Sequence, residues 1–342
     1  MYQKLKIAAL SSVVSLSAMS PANAADVRFT EIPVAVRGGG DGAMAVSETG
    51  VVSFSDENYF YKWSEGQGLT NLGDRVGLYT HTVANISNDG ETVAFTGVMG
   101  WGTTMVFDGE TQNEISRAEI IGSVLSPTGS KVGGFLYGNG SNGAGGPTAT
   151  YAIETGVVET NSDQRFIDYT VADFSSNGDV QLLSPKSYGF YIPHYLVSKS
   201  GTITELNENV RLIRDMSGDG KTVVGQSYEC VEYSTNCTVI ANASGYEEIG
   251  MFFANALNYD GSIAVGRATS GPASGKIWDR VNGIRDIVDV LAAKGIDISA
   301  WTDITLFDIS DSGEFIVGSG VNPQGARRGF IINVFAECST GL

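Results

Sequence analysis

Two histidines, His81 and His194, are the whole stock of near-neutral general bases in this 342-residue chain, so any nucleophilic serine set built on imidazole has to use one of them. Two are also too few for a three-histidine metal centre. The Gly-x-Ser-x-Gly elbow of α/β-hydrolases does not occur. Glycoside cleavage by paired carboxylates, which needs the two groups about 5 to 10 Å apart, has 38 Asp and Glu to draw on, and nothing in the order of residues selects two of them. Gly218-Asp219-Gly220-Lys221-Thr222 ends like a phosphate-binding loop, but the earlier glycine of that motif would fall at Asp215. The acids Asp89, Asp219, Asp260 and Asp311 each stand alone in a turn, whereas calcium needs about 6 to 8 converging oxygens, so turn formation is their expected role. No cofactor and no metal is expected.

Aromatic residues carry a stronger signal. Tyr79, His81, Trp101, Tyr188, Phe190, Tyr191, His194, Tyr228 and Tyr233 fall in four segments, 77–82, 98–104, 184–195 and 226–237. Rings with polar tips suit sugar or peptide recognition, although single exposed rings also simply cover the ends of a scaffold. Cys230 and Cys237 lie in the last of these segments with six residues between them, a span that a disulfide closes in an oxidising compartment. Two unpaired thiols are the alternative. Cys338 is left over.

The elements that hold these segments follow from internal repetition. One phrase, an apolar residue, Ser, two variable residues, Gly and an apolar run, recurs at 46–54, 86–95, 125–135, 174–183, 216–225, 257–266 and 309–318, with Asn in place of Ser in the sixth copy. Its glycines, Gly50, Gly90, Gly129, Gly178, Gly220, Gly261 and Gly313, are 40, 39, 49, 42, 41 and 52 residues apart. Each phrase is a β-hairpin, strands A and B, because Gly supplies the positive φ of a tight turn. A second hairpin, strands C and D, follows each one. Four antiparallel strands every 40 to 50 residues predict an all-β, seven-bladed β-propeller. The seventh copy lacks strand D after Val334, and 28–34 (RFTEIPV) is expected to supply it, closing the ring and removing open sheet edges. A short helix is expected over 286–294, stopped at Gly295 and displacing part of strand D of blade 6. In a propeller the B-to-C and D-to-A connections share one face and the A-to-B and C-to-D turns share the other. The aromatic segments therefore belong together on the long-loop face.

With 21 Lys and Arg against 38 Asp and Glu, the net charge of −17 argues against nucleic acid and anionic membrane surfaces as partners. Residues 1–24 read as an export signal, with Lys4 and Lys6, an apolar stretch from Ile7 to Met19 and Ala22-Asn23-Ala24 at the cleavage site. This leaves 25–342 as a single propeller domain without membrane insertion, exported to the periplasm, the cell surface or the medium.

The repeat phrase, followed by Tyr61, Trp63 and the stretch from Gly68 to Gly73, resembles the HAF-type extracellular repeat proteins of bacteria. The stretches VDVLAAKGIDISAWT and ISDSGEFIVGSGVNPQG are similar to the terminal repeat of those proteins and of passenger regions in some autotransporters. The resemblance spans nearly all of 28–334 and implies an exported propeller of surface-associated role, with no catalytic residue to carry across. Only eight residues follow Val334, which leaves no room for an autotransporter barrel. The function expected is non-enzymatic binding of a glycan, or of a cell-surface or periplasmic protein, through Tyr79, His81, Trp101, Tyr188, Tyr191, His194 and Tyr228. A glycoside hydrolase or lyase on the same scaffold, and a structural part of an envelope or matrix, are the alternatives.

Overall fold

The computed structural model describes residues 27–34, 44–74, 82–97, 104–109, 111–116, 119–136, 146–186, 192–227 and 237–334. Seven four-stranded antiparallel sheets follow one another along the chain as the blades of a β-propeller. Their A strands are Met44–Val46, Thr82–Ile86, Ile121–Leu125, Tyr169–Phe174, Arg211–Met216, Phe252–Leu257 and Thr302–Ile309. Residues from all seven A-strand and turn regions line one central cavity, so strand A is innermost in every blade.

The repeat phrase folds as its chemistry dictates. All seven turn glycines have positive φ, between 68° at Gly261 and 78° at Gly90. The turn serine closes the hairpin from within: Ser87 N–H donates to the Thr92 carbonyl at 2.9 Å, and the Thr92 N–H returns to Ser87 Oγ at 2.9 Å. Ser217 and Thr222 repeat both bonds. Asp89 and Asp219 brace the same turns by accepting from the serine hydroxyl and from a following main-chain N–H, which is the turn role expected of them. Asp260 does so with Asn258 in place of serine.

Ring closure is as the repeat count requires. Arg28–Ile32 pairs antiparallel with Arg327–Asn333, from Arg28 opposite Asn333 to Ile32 opposite Gly329, and becomes strand D of blade 7. Ile32 is fully buried, and Phe29 packs against Phe330 and Trp301 with ring centroids 4.9 and 5.1 Å away. Apolar residues on the sheet faces meet their neighbours in seven buried clusters, one at each blade junction. The junction of blades 1 and 2, for instance, stacks Phe60 on Phe95 at 4.3 Å. Burying one such ring contributes about 1.5–3 kcal/mol.

Strand D of blade 6 is intact as Gly283–Asp286, contrary to the expected displacement, and the helix Ile287–Ala293 starts after it with Asp286 as N-cap. Ile287 and Leu291 are fully buried against blades 6 and 7. Strand and helix share the connection because the helix begins where the strand's pairing with Lys276 ends. Among the described residues no helix is long and apolar enough to cross a membrane.

Candidate functional site

The two ends of the propeller differ in how the chain crosses them. On the turn face, six of the seven A-to-B turns hand a hydrogen bond to the next blade among the described residues. Glu48 N–H donates to the Asn88 carbonyl (3.0 Å), Asn88 to Pro127 (2.7 Å), Ser176 to Gly218 (2.8 Å), Asp219 to Tyr259 (2.8 Å) and Tyr259 to Asp311 (2.9 Å). Ser312 N–H completes the step from blade 7 to blade 1 by donating to the Glu48 carboxylate at 3.1 Å.

Beneath this ring the channel is lined by acids that the repeat phrase does not show. The residue two before the turn Ser or Asn is Ala45, Asn85, Val124, Asp173, Asp215, Ala256 or Asp308 in successive blades. The three aspartates are staples between blades. Asp173 accepts from Phe174 N–H (2.7 Å) and Met216 N–H (2.9 Å), Asp215 from Leu257 N–H (2.6 Å), and Asp308 from Ile309 N–H and Val46 N–H (both 2.8 Å). Asp173 and Asp215 lie beside each other. Burial raises the Asp173 carboxyl to about 6 and Asp308 to about 7, and it lifts Asp215 well above the usual carboxylate range, helped by the charge of Asp173 beside it.

Asp311 departs from the turn role expected of it. It sits one position earlier in its turn than Asp89 does, and its carboxylate reaches across the channel to accept from Asn88 Nδ2 (3.0 Å) and from the Ser176 hydroxyl. A Cβ added at Gly218 would collide with both the Asp311 carboxylate and the Ser176 hydroxyl, so the glycine makes room for the plug. The cavity left at this end is about 200 Å³. Asp173, Asp215 and Asp308 thus each have a carboxylate oxygen engaged by main-chain N–H groups.

The opposite rim carries the connections. Strand ends at Gly97 and Thr104, Phe135 and Thr148, Pro185 and Tyr195, and Ser227 and Cys237 bound the B-to-C connections of blades 2 to 5, and Asp74 and Thr82 bound one D-to-A connection. Tyr79, His81, Trp101, Tyr188, Phe190, Tyr191, Tyr228, Tyr233 and Cys230 lie outside the described residues, between these anchors. His194 is described and is 8 % exposed. Its Nδ1 is 3.0 Å from Ser184 Oγ, and burial lowers its pKa to about 4, so the ring is neutral near pH 7. His194 thus fixes the blade 4 connection from below. Cys237 is 1 % exposed at the start of its strand.

Other described groups harden this rim at blades 3 and 4. Tyr169, Tyr195 and Phe166 pack edge-to-face with centroids 5.3 to 5.7 Å apart, and the Tyr169 hydroxyl donates to the Pro193 carbonyl at 3.0 Å. Lys186, which sequence reasoning did not single out, donates to the Ile167 carbonyl at 2.9 Å and to the Gly146 carbonyl, and lies 4.2 Å from the Phe135 ring centre. Burial lowers its pKa to about 8. Lys186 is therefore a clasp joining the ends of two connections. Among the described residues no three His, Cys, Asp or Glu side chains are grouped to hold a metal.

Comparisons place the chain among known folds. No family model matches it, and no curated protein matches it in sequence. Among solved structures it is similar to the oligogalacturonate lyase of Vibrio parahaemolyticus, with TM-score 0.57 and 13% identity over 92% of this chain and 96% of that one. An oligogalacturonate lyase in complex with manganese gives TM-score 0.56 and 11% identity over 91% and 97%. The β-propeller domain of the Trilobed protease from Pyrococcus furiosus gives 0.52 and 13% over 85% and 94%. At these identities the likeness is one of fold, and it identifies this chain as a propeller without naming a reaction.

Proposed function

We propose that the protein is an exported, non-enzymatic propeller that binds a glycan through its long-loop face, with Trp101, Tyr188, Tyr191, Tyr79, Tyr228 and His81 contributing to that face and His194 anchoring it from beneath. The observation that carries this reading is the asymmetry of the two ends. One rim is tied by inter-blade hydrogen bonds and plugged by Asp311, while the long connections leave from strand ends on the other. A rigid ring that presents variable connections on one side is the arrangement that recognition uses. Aromatic residues in those connections supply apolar faces with polar edges, which suits sugar rings and also a protein surface.

A Cys230–Cys237 disulfide would stiffen the blade 5 connection. The burial and bonded state of Cys237 support that pairing. Export, supported by residues 1–24, would supply the oxidising compartment it needs. The resemblance to HAF-type repeats supports a surface-associated role.

A lyase or glycoside hydrolase is the second reading, and the fold shared with the two oligogalacturonate lyases is what favours it. It is the weaker one, because the three channel aspartates are occupied with main-chain N–H groups. A glycan array probed with the exported chain tests the first reading. Saturable binding without release of cleaved sugar is the expected result, and turnover of a bound glycan would favour the second.

A further inference from the structure

The ring of hydrogen bonds on the turn face has one gap among the described residues, between blades 3 and 4. The residue that would donate there is Pro127, which accepts from Asn88 but has no N–H to pass on. The same junction follows the 49-residue repeat interval between Gly129 and Gly178, the longest but one. Ser123 Oγ and Thr170 Oγ1, 2.8 Å apart, still join the two blades deeper in. Above them the turns stand apart, and a cleft of about 500 Å³ opens between them. That volume lies in the range of small-molecule sites.

The cleft is polar. Its walls bring Thr128, Ser130 and Lys131 of blade 3 opposite Asn177, Asp179 and Lys199 of blade 4, with Phe174 and Val197 at its apolar floor. Through Glu159 and Gln181, which line both, it continues into a second hollow of about 210 Å³ that ends on Thr148, Thr150 and Asn161. Several of these groups are unspent. Thr148 is 1 % exposed, and its Oγ1 is buried with no hydrogen-bond partner. Gln181 and Lys199 have no side-chain partner among the described residues, and Glu159 uses only Oε2, for Lys131 at 2.9 Å and Thr150. A buried hydroxyl without a partner is disfavoured, and Thr148 lines the second hollow, where a ligand oxygen would be received.

We propose that this inter-blade groove is a second binding site, independent of the long-loop face, for a short neutral oligosaccharide. A sugar hydroxyl both donates and accepts, and the groove offers acceptors (Glu159, Asp179), a donor (Lys199) and groups that do either (Gln181, Asn177, Thr148, Ser130). Its lysines and carboxylates balance, with Lys131 already paired to Glu159, so the groove suits a ligand without net charge. Two adjoining hollows that share Glu159 and Gln181 suit a few linked rings rather than one compact molecule.

Titration of the full chain with cellotriose, maltotriose, chitotriose and xylotriose, followed by saturation-transfer NMR, tests this. At least one trisaccharide is expected to bind saturably, and Gln181→Met and Thr148→Val are each expected to weaken it about fivefold to tenfold. Thr148→Val should leave the thermal midpoint unchanged or raised, because it removes an unpartnered hydroxyl, so a loss of affinity in that variant reports binding and not folding. Trp101→Ala combined with Tyr191→Ala should leave this affinity unchanged, which separates the groove from the long-loop face. Absence of binding by all four sugars, binding that survives both groove variants, or binding lost only in the Trp101/Tyr191 variant would overturn the proposal.

Discussion

The Asn88 side-chain amide donates to Asp311 Oδ2 at 3.0 Å, although the two residues belong to blades 2 and 7 and are 223 positions apart. With the Ser176 hydroxyl on the same carboxylate, Asp311 ties three blades together across the channel. Asp311→Ala should therefore destabilise the fold by about 1–3 kcal/mol, since it leaves two donors unmatched. A double-mutant cycle with Asn88→Ala should give an interaction energy of about 0.5–1.5 kcal/mol by urea denaturation. Additive effects would show that the two residues do not act together.

Gly218 faces that carboxylate, and a methyl group there has no room. Gly218→Ala is expected to cost about 1–3 kcal/mol through overpacking. Gly66→Ala, where nothing lies within 4 Å of the added carbon, should cost under about 0.5 kcal/mol. Equal denaturant midpoints for the two variants would contradict the plug geometry.

The channel acids make stability depend on pH with a definite sign. Their folded pKa values are raised, to about 6 for Asp173 and about 7 for Asp308, so the folded chain holds protons that the unfolded chain has already released. Their contribution is fully present below the unfolded carboxylate pKa and is lost as pH rises through about 7. His194, lowered to about 4, acts the other way, and its contribution is lost on acidification. Asp308→Asn removes one of these acids and leaves His194 in place. The stability gap between wild type and Asp308→Asn should narrow as pH rises from about 5 to 8, measured by urea midpoints. A gap that stays constant would contradict the raised Asp308 pKa.

Strand closure predicts a further outcome. Deleting residues 1–34 removes the strand that covers Arg327–Asn333 and exposes Phe330 and Ile332, both fully buried. The truncated chain should self-associate in sedimentation experiments, because an open edge with apolar flanks invites pairing. A monomer of unchanged midpoint would show that ring closure by this strand is dispensable.

The blade count and the closing strand were readable because turn chemistry is local: Ser, two residues and a positive-φ Gly specify a hairpin wherever they occur. The acids of the channel have a sequence trace too, since Asp173, Asp215 and Asp308 lie one residue upstream of the repeat phrase. Aligning the copies from two residues before the turn Ser exposes Asp in three of seven. Asp311 could not be separated from the other turn acids without structure, because a shift of one position turns a hairpin brace into a channel plug. The groove at blades 3 and 4 had a sequence trace as well, in Pro127, whose missing N–H matters only once the inter-blade ring is known.

The central claim is that recognition belongs to the long-loop face and closure to the turn face. It is tested most directly by probing one glycan array with wild type, with Trp101→Ala plus Tyr191→Ala, and with Asn88→Ala plus Asp311→Ala. For glycans whose binding does not depend on Gln181 or Thr148, the account predicts saturable binding by wild type that disappears in the first variant and persists in the second at a temperature where both are folded. Binding of those same glycans kept by the Trp101/Tyr191 variant and lost from the Asn88/Asp311 variant would contradict it.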